Sequence, residues 1–378
     1  MRQLTFIKKG RVEWQEVPEP RLTAPLQAIV HPFVAARCDG DCVPLFRSVT
    51  NLMNAGIALH LLDPLVANAL GPKPFQGPFA FGHECIAKVL AVGDEVRTVG
   101  VGDQVIVPWA ISCGQCFPCQ NGLTAKCTRS GNTMFSAYGF GSAMGSWGGA
   151  VSDQLLVPFA DAMLLRVPMG LEPISIASAS DNIPDGYRTV APHLRRWPGA
   201  PVLIVSGAAR SIGLYAAGVA VAMGSSQVDY VDHDRKRLEI AESLGANPIQ
   251  VPKATAWLAK NVPAREGRYL ISVDATASVD GIRFALRSLA PGGCCTGIGY
   301  YFFKSAKLPL AQMYLNTTTL HLGVSNPRSD LPDLLALIAS RRFQPEKVTT
   351  MVASWDDAPQ AFLEDTTKVV VQRSSAKL

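Results

Sequence analysis

Four cysteines lie within one short segment of this 378-residue chain. Cys113, Cys116, Cys119 and Cys127 follow the pattern C-x2-C-x2-C-x7-C, and turn-forming residues separate the first three. Four thiolates at such spacing can surround a tetrahedral zinc ion, and a complete thiolate shell leaves no position for a substrate. Three close cysteines could instead hold an iron–sulfur cluster, and four unrelated thiols are the remaining alternative. We predict a structural zinc loop.

A second group of potential ligands is spread along the sequence. Cys38 begins the run Cys-Asp-Gly-Asp that ends at Asp41, His83 lies in a Gly-His-Glu segment, and Asp181 lies further on. One thiolate, one imidazole and one carboxylate would give zinc three protein ligands and leave the fourth position for water or substrate. Asp41 would accept a hydrogen bond that orients the ring of His83. A histidine alone is more often a structural residue than a metal ligand. The prediction that His83 is a ligand therefore depends on Cys38 and Asp181.

The remaining cysteines carry no ligand pattern of their own. Cys294 and Cys295 follow a Pro-Gly-Gly turn in an apolar, strand-like run. Buried thiols that act as small apolar side chains explain both residues. We interpret Cys42 and Cys85 in the same way.

A loop of small residues between a predicted strand and a predicted helix is typical of a dinucleotide site. Its candidate cofactor-binding residues are Gly207, Ala208, Arg210, Ser211, Ile212 and Gly213. The G-x-G-x-x-G pattern is incomplete, because Ala208 and Arg210 occupy the first two glycine positions and only Gly213 remains.

Asp232 strengthens the prediction of a dinucleotide site. It ends the second predicted strand, nineteen positions after Gly213, where a carboxylate would accept hydrogen bonds from the adenosine ribose. An acid there would repel a 2′-phosphate, which favours NAD over NADP. The alternative is that Asp232 caps a surface helix. Arg237 or Lys236 could weaken the preference for NAD.

The predicted secondary structure that positions these residues changes from mainly β-strands to alternating strands and helices near residue 200. Before it, a hairpin at 4–17 and short β-type runs at 27–32, 86–92 and 104–107 predict a β-rich domain, with a helical insertion at 47–70 that residues 71–74 end. After it, strands alternate with helices, which predicts a doubly wound parallel sheet. The predicted strands are 201–205, 227–232, 269–274 and 293–299, and the predicted helices are 211–223, 234–244 and 279–289. Helices at 331–340 and 355–364 and a strand at 368–371 follow.

Composition excludes several other classes of protein. Charged residues make up 17% and apolar residues 48% of the chain, which is enough for a large core. The net charge of +5 is scattered over short basic runs, which indicates a solvated surface and no nucleic-acid partner. No apolar run is long enough to span a membrane, and no export signal is evident. We expect a cytoplasmic, two-domain α/β protein.

On these motifs the chain resembles the zinc-dependent medium-chain dehydrogenase/reductase family, whose best-known members are alcohol dehydrogenases. The resemblance covers nearly the whole sequence. It rests on Cys38 with Asp41, the Gly82-His83-Glu84 segment, the four-cysteine loop, Gly148-Gly149-Ala150 before Val157-Pro158, and Asp181 followed by Asp185-Gly186-Tyr187.

The resemblance implies a GroES-like zinc catalytic domain at 1–181 and 327–378, a Rossmann domain at 182–326, and a substrate cleft between them. It implies two zinc ions per chain, one catalytic and one structural, together with NAD. The zinc would act as a Lewis acid on a small-molecule alcohol, aldehyde or ketone, and the nicotinamide would exchange hydride with it. Glu84 would coordinate the catalytic zinc transiently, or act only as a hydrogen-bond acceptor. A homo-oligomer, dimer or tetramer, is also implied.

Other functions remain open within and outside this resemblance. A polyol dehydrogenase or a formaldehyde-type dehydrogenase would use the same residues. Double-bond reductases of the family generally lack both zinc sites, so the intact ligand set argues against them. A nucleotide-binding scaffold without turnover is the alternative from a different class.

Three departures from the family pattern are informative. Gly40 stands where a Ser or Thr hydroxyl normally accepts the alcohol proton, so bound water, Asp39 or Asp185 would have to replace it. Asp39 stands where some relatives have a basic residue, and Arg210 would supply the lost positive charge or point into solvent. The insertion at 47–70 would form an apolar wall for a bulky or hydrophobic substrate, or else a packed lid or oligomer contact.

Overall fold

A computed structural model describes residues 1–70, 75–131, 135–253, 268–299, 301 and 305–374. The chain divides into two compact units. The first contains Met1–Pro184, Asn326–Leu335 and Thr349–Leu378, and the second contains Asp185–Ser325 and Ala336–Val348. Among the described residues, no helix combines the length and the apolar character needed to cross a bilayer.

The first unit is built on two β-sheets. Its strands are β1 (Arg2–Lys8), β2 (Arg11–Glu16), β3 (Ala28–Ala36), β4 (Phe79–Ala80), β5 (Glu84–Val92), β6 (Gln104–Val107), β7 (Leu155–Val157), β8 (Leu165–Arg166), β15 (Met351–Ser354) and β16 (Val369–Gln372). One sheet has the order β2-β1-β4, and the other has the order β15-β16-β3-β5-β6-β8, with β7 also paired to β3. The antiparallel β1–β2 pair confirms the predicted N-terminal hairpin.

The first half of β5 is buried on both faces of the sheet, which suits its apolar sequence. Cys85, Ile86 and Ala87 are fully buried, whereas Leu90 near the other end of the strand faces solvent. β3 pairs with β5 so that Ala36 lies opposite Glu84. The residues that follow β3 and those that precede β5 therefore meet at one edge of the sheet.

Short helices connect the strands of the first unit. They are Cys42–Phe46, Val49–Ala58, Pro64–Leu70, Phe117–Gln120, Ala160–Met163, the first part of Pro327–Ala339, and Ala358–Ala361. Single 3₁₀ turns lie at Thr124–Lys126, Ser142–Met144, Pro173–Ile176 and Trp355–Asp357.

The prediction of one helical insertion over 47–70 is wrong in detail. Two helices, Val49–Ala58 and Pro64–Leu70, are separated by a break in which His60 has a φ of +53°. Pro64 lacks a backbone donor, so it begins a new helix more readily than it continues one. The predicted stop at 71–74 lies outside the described residues.

The second unit is a doubly wound parallel sheet, as predicted. Its strands are β9 (Val202–Ser206), β10 (Val228–Asp232), β11 (Asn247–Gln250), β12 (Tyr269–Ala275), β13 (Leu289–Gly297) and β14 (Thr319–Leu322). All pairs are parallel and the order is β11-β10-β9-β12-β13-β14. Its helices are most of Asn182–Arg196, Arg210–Ala222, Arg235–Ser243, Val279–Arg287 and Leu310–Leu315, with a 3₁₀ turn at Pro345–Val348. The strand order reverses between β9 and β12, where ligands bind in sheets of this type.

Candidate metal centres and dinucleotide site

The four cysteines of the predicted zinc loop lie together in the first unit. One sulfur from each lies within 4.8 Å of the others, and all four side chains are buried. The backbone N–H of Cys113 donates a 3.4 Å hydrogen bond to the sulfur of Cys127. Although burial favours the neutral thiol, backbone N–H groups of Cys119 and Thr128 lower the pKa of Cys116 to about 6. The cluster therefore fits the closed tetrahedral shell of a structural zinc ion.

Cys38, His83 and Asp181 also converge, although 143 residues separate the first from the last. One ligand atom of each lies within 4.8 Å of the other two. The Cys38 sulfur is 3.2 Å from Oδ2 of Asp181, and Nε2 of His83 is 3.4 Å from the same oxygen. Cys38 and His83 are buried, and Asp181 is partly exposed.

Local backbone geometry places His83 in this cluster. The preceding residue, Gly82, has a φ of +86°, and a Cβ there would lie only 2.6 Å from Cγ2 of Val151. Glycine is therefore required at this position. The ring of His83 stacks on Phe140, with 4.6 Å between the ring centroids.

The polar contacts of His83 indicate a missing partner. Within the described part of the chain, neither ring nitrogen has a hydrogen bond, and Nδ1 lies 3.4 Å from Oδ1 of Asp41. Burial opposes protonation, but the carboxylates of Asp41 and Asp181 outweigh it and raise the pKa of His83 to about 9. Buried, unsatisfied ring nitrogens are costly. A cation on Nε2, with the Nδ1 proton directed at Asp41, would satisfy both.

A zinc ion fits the three donor atoms. Tetrahedral ligands that lie about 2.0–2.3 Å from zinc are separated from one another by about 3.3–3.8 Å. The separations of 3.2 and 3.4 Å to Asp181 Oδ2 are close to this range. A thiolate, an imidazole and a carboxylate are all zinc donors, and the exposed side of Asp181 leaves an approach for a fourth ligand.

Asn182 is a functional candidate that sequence reasoning missed. Its side-chain amide donates hydrogen bonds to the sulfur of Cys38 at 3.0 Å and to Oδ2 of Asp181 at 3.2 Å. Its backbone N–H donates to Oε1 of Glu84 at 2.8 Å. The available signal was its position directly after Asp181, at the first residue of a helix.

Lys368 is the second residue that sequence reasoning missed. Its ammonium group lies 3.1 Å from Oε2 of Glu84 and 2.6 Å from Oδ1 of Asn182, and both charged side chains are fully buried. β16 pairs with β3, and the backbone N–H of Arg37 bonds to the carbonyl of Val369, which brings Lys368 to this edge of the sheet.

Glu84 serves as a hydrogen-bond acceptor in this arrangement. Its carboxylate accepts from the backbone N–H of Asn182, from the hydroxyl of Ser178 at 3.2 Å and from Lys368. Burial raises the pKa of Glu84, with Lys368 opposing the shift. A transient bond from Glu84 to zinc stays a prediction.

Gly40 and the two carboxylates considered as proton acceptors have the following surroundings. The backbone N–H of Gly40 donates to the sulfur of Cys38 at 3.2 Å. Asp39 is buried, and its backbone N–H donates to Oδ1 of Asn182. In the second unit, Oδ1 of Asp185 accepts a 2.5 Å hydrogen bond from Arg188, which ties this carboxylate into an ion pair.

The predicted dinucleotide loop follows β9 and leads into the helix Arg210–Ala222. A Cβ at Gly207 would lie 2.7 Å from the Cα of Thr276, so only glycine allows this approach to the end of β12. Ala209 occupies the N-cap position and offers no side-chain acceptor to the first turn of the helix. Such a turn is a ready site for a phosphate group.

The other loop residues surround that turn. Ala208 is exposed and Arg210 is half-exposed, whereas Ser211 and Ile212 are buried. Gly213 packs against Ala275, where a Cβ would lie 3.4 Å from the alanine methyl group. This close packing of helix on strand is the role of the third glycine in the dinucleotide pattern.

Asp232 ends β10 but is already paired with Arg237. Nε and Nη2 of Arg237 lie 2.6 and 2.7 Å from the two carboxylate oxygens, and both side chains are almost fully buried. Burial favours the neutral acid, but Arg237 outweighs it and holds the pKa of Asp232 below its usual value. The alternative that Asp232 caps a surface helix is wrong, because Asp234 caps that helix.

Two family models match the chain. Residues 57–168 match the alcohol dehydrogenase GroES-like domain, and residues 211–340 match the zinc-binding dehydrogenase model. The fold class predicted from the sequence, a GroES-like domain with a Rossmann domain, is therefore confirmed.

Individual relatives agree with these models. The "Probable zinc-binding alcohol dehydrogenase" of Mycobacterium tuberculosis is 29% identical over 363 residues, which cover 96% of this chain and 84% of the relative. A medium chain reductase/dehydrogenase of Acremonium sp is 30% identical over 230 residues, which cover 58% of this chain and 74% of the relative. The solved structure of an alcohol dehydrogenase from Thermus sp. ATN1 matches with a TM-score of 0.80 at 27% identity and covers 99% of this chain and 100% of that chain.

The fold, the two clusters of zinc donors and the dinucleotide loop thus define a zinc- and nucleotide-dependent oxidoreductase. The chain belongs to the zinc-dependent medium-chain dehydrogenase/reductase family. Zinc and a nicotinamide dinucleotide are its cofactors, and the family acts on small molecules.

Proposed function

We propose that this protein is an NAD-dependent alcohol dehydrogenase in which Cys38, His83 and Asp181 hold the catalytic zinc. The observation that carries the proposal is the convergence of three zinc-donor atoms within 4.8 Å of one another, around a buried imidazole whose ring nitrogens lack hydrogen bonds within the described residues. When bound, the zinc would polarise the substrate oxygen and the nicotinamide would exchange hydride with the adjacent carbon.

The protein's own residues orient the donor atoms. Asp41 lies beside Nδ1 of His83 and keeps Nε2 directed at Asp181. Asn182 donates to both Cys38 and Asp181, so it fixes the sulfur and the carboxylate relative to each other. The charges of the thiolate and of Asp181 together balance a divalent ion, so the bound site is nearly neutral.

The proton of the alcohol needs a carrier other than residue 40, because Gly40 has no hydroxyl. We propose that a water molecule takes this role, with Asp39 or Asp185 as the next acceptor. Of these two carboxylates, that of Asp185 already accepts from Arg188 in an ion pair.

For the cofactor, we propose a preference for NAD over NADP. Asp232 presents a carboxylate at the end of β10, where it disfavours a 2′-phosphate. Arg237 neutralises part of this charge. Arg210, half-exposed in the first helical turn, would contact the pyrophosphate, and Arg210→Ala would then raise the Kd for NAD.

For the substrate, we propose a bulky or hydrophobic alcohol or aldehyde. The insertion at 47–70 begins nine residues after Cys38, and its side chains include exposed leucines. They are Leu52, Leu59, Leu61 and Leu65. If these leucines line the substrate entrance, they would bind apolar substrate groups. Replacing these leucines by serine would then lower kcat/KM for long-chain alcohols more than for ethanol, whereas an unchanged substrate profile would favour an oligomer contact.

We also propose a homo-oligomer that is formed through the second unit. β14 is an edge strand, and Leu322 on it is exposed together with Leu310, Tyr314 and Leu315. Edge strands with apolar side chains readily pair with a second copy. Light scattering of a Leu322→Glu variant would show a smaller particle than the wild type if this edge is the interface.

The test of the proposed activity combines metal content with turnover. Wild-type protein should contain zinc at both sites and form NADH from a panel of alcohols. Cys38→Ser should lose one zinc per chain and this activity, whereas Cys42→Ser, which changes a nearby half-buried thiol, should keep both. Wild-type protein that retains both zinc ions but forms no NADH with any alcohol would contradict the proposal.

A further inference from the structure

A third group of metal-binding side chains lies in the second unit. His193 lies in the helix Asn182–Arg196, Cys294 lies in β13 and His321 lies in β14. One ligand atom of each lies within 4.8 Å of the other two. The group is distinct from both zinc-donor clusters described above, which belong to the first unit.

The parallel sheet brings these residues together. β13 pairs with β14 so that Thr296 lies opposite His321. Alternate residues of a strand share one face, so Cys294 lies on the same face as Thr296 and His321. His193 reaches this face from the helix, with Nε2 3.2 Å from the hydroxyl of Thr296 and 3.6 Å from the sulfur of Cys294.

These distances match metal coordination. A sulfur about 2.3 Å and a nitrogen about 2.0–2.1 Å from one tetrahedral zinc ion lie about 3.6 Å apart. This is the separation between the sulfur of Cys294 and Nε2 of His193. The rings of His193 and His321 have centroids 5.3 Å apart and are inclined by 45°, so the second imidazole lies beside the first.

Burial across the group leaves a path for an ion. Cys294 is buried, His193 is half-buried and His321 is exposed, so the cluster opens towards solvent on the face of β14 opposite to Leu322. Two imidazoles and one thiolate are borderline-soft donors that favour zinc over magnesium or calcium. Three protein ligands leave a fourth position for water.

We propose that His193, Cys294 and His321 form a third metal site, which takes a divalent transition ion such as Zn²⁺ and ties the helix to the two outer strands of the sheet. The site is independent of the proposed catalytic function. Cys294, first interpreted as a packing residue, is its buried anchor. Binding stabilises the folded state by mass action.

The experiment uses the protein with both of its other zinc sites loaded. Titration with Zn²⁺ alone should add one further ion per chain and raise the Tm. Titration with Co²⁺ should give the charge-transfer absorption of a thiolate–cobalt bond. Cys294→Ser and His321→Ala should each abolish the added ion and the rise in Tm.

Two control variants separate this site from non-specific binding. Cys295→Ser changes the neighbouring thiol, which faces the other side of β13, and His60→Gln changes an exposed histidine of the first unit. Both should keep the third ion. The proposal is overturned if the wild type binds no further ion at millimolar zinc, or if the ion persists in either Cys294→Ser or His321→Ala. His321 is exposed, so His321→Ala decides the result even if Cys294→Ser fails to fold.

Discussion

Lys368 donates a 2.6 Å hydrogen bond from Nζ to Oδ1 of Asn182, although 186 positions separate the two residues. Because the amide oxygen of Asn182 accepts from the ammonium group, its amide N–H groups face the opposite way, towards Cys38 and Asp181. Lys368 also donates to the carbonyl of Arg37 at 2.9 Å. This buried lysine therefore fixes the amide that orients two proposed zinc ligands.

Replacing Lys368 by methionine should weaken both the fold and the metal site. The change leaves the buried carboxylate of Glu84 without its counter-charge, which costs roughly 3–5 kcal/mol of unfolding free energy. Loss of the group that orients Asn182 should lower the affinity of the Cys38 site for zinc by about 10–100-fold. Urea unfolding of the zinc-loaded protein and chelator competition measure the two effects.

A matched double variant separates charge from orientation. Glu84→Gln with Lys368→Met removes both charges, so most of the lost stability should return while zinc affinity stays low. If the unfolding free energy of Lys368→Met lies within about 1 kcal/mol of the wild-type value, the ion pair of Glu84 with Lys368 does not stabilise this region.

Sequence reasoning found the residues that short motifs mark and missed those that only the fold brings near. Cys38, His83 and Asp181 stand out because their chemistry matches zinc coordination. Lys368 has no such mark, because it reaches the site only through the pairing of β16 with β3. The pairing of Arg237 with Asp232 was also invisible, since a ribose-binding carboxylate and one bound to arginine look alike in sequence.

The long elements were predicted better than the short ones. Apolar runs located β9, β10, β12 and β13 of the parallel sheet to within a few residues, because buried strands need continuous apolar sequence. The two edge strands, β11 and β14, were not predicted, because they are only partly buried and carry no such run. The predicted helix at 355–364 is only a 3₁₀ turn, Trp355–Asp357, followed by the single turn Ala358–Ala361. The length and type of such a short helix depend on tertiary packing, which cannot be inferred from the spacing of apolar residues.

Cys127→Ser should remove the structural zinc. A zinc ion held by four thiolates contributes its binding free energy to the folding of the loop. We expect the variant to contain one zinc fewer per chain and to have a lower Tm, and to become sensitive to chelators at temperatures at which the wild type is not. Cys85→Ser, a buried thiol outside both clusters, is the control for metal content. A variant that keeps its full zinc content would rule out the four-thiolate site.

Asp232→Ser should relax the choice of cofactor. Removing the carboxylate abolishes its repulsion of a 2′-phosphate and releases Arg237, which can then bind that phosphate. We expect the ratio of kcat/KM for NAD to that for NADP to fall at least about tenfold, a change of about 1.4 kcal/mol, mainly through KM. Asp234→Ser, at the half-exposed helix cap, should leave the ratio nearly unchanged. An unaltered ratio in Asp232→Ser would place cofactor selection elsewhere.

Asp274→Asn should change how stability depends on pH. Asp274 is buried and accepts from the hydroxyl of Thr276 at 2.7 Å and from Tyr301, and burial raises its pKa to about 6. Because this exceeds the value of about 3.9 in unfolded chains, its stabilising contribution is present below pH 4 and is lost as the pH rises through 6.

The amide of asparagine mimics the protonated acid, so this loss should be absent in the Asp274→Asn variant. Its Tm relative to the wild type should therefore increase between pH 4.5 and pH 7, with a stability difference of up to about 3 kcal/mol at the upper end. A difference in Tm that stays constant across this range would show that Asp274 ionises normally.

Anomalous diffraction at the zinc absorption edge tests most directly whether Cys38, His83 and Asp181 share one ion. We predict a peak about 2.0–2.3 Å from the sulfur of Cys38, Nε2 of His83 and a carboxylate oxygen of Asp181, separate from the peak among the four cysteines. Crystals of zinc-loaded protein with no peak there, or with an ion that omits Asp181, would contradict the proposed catalytic centre.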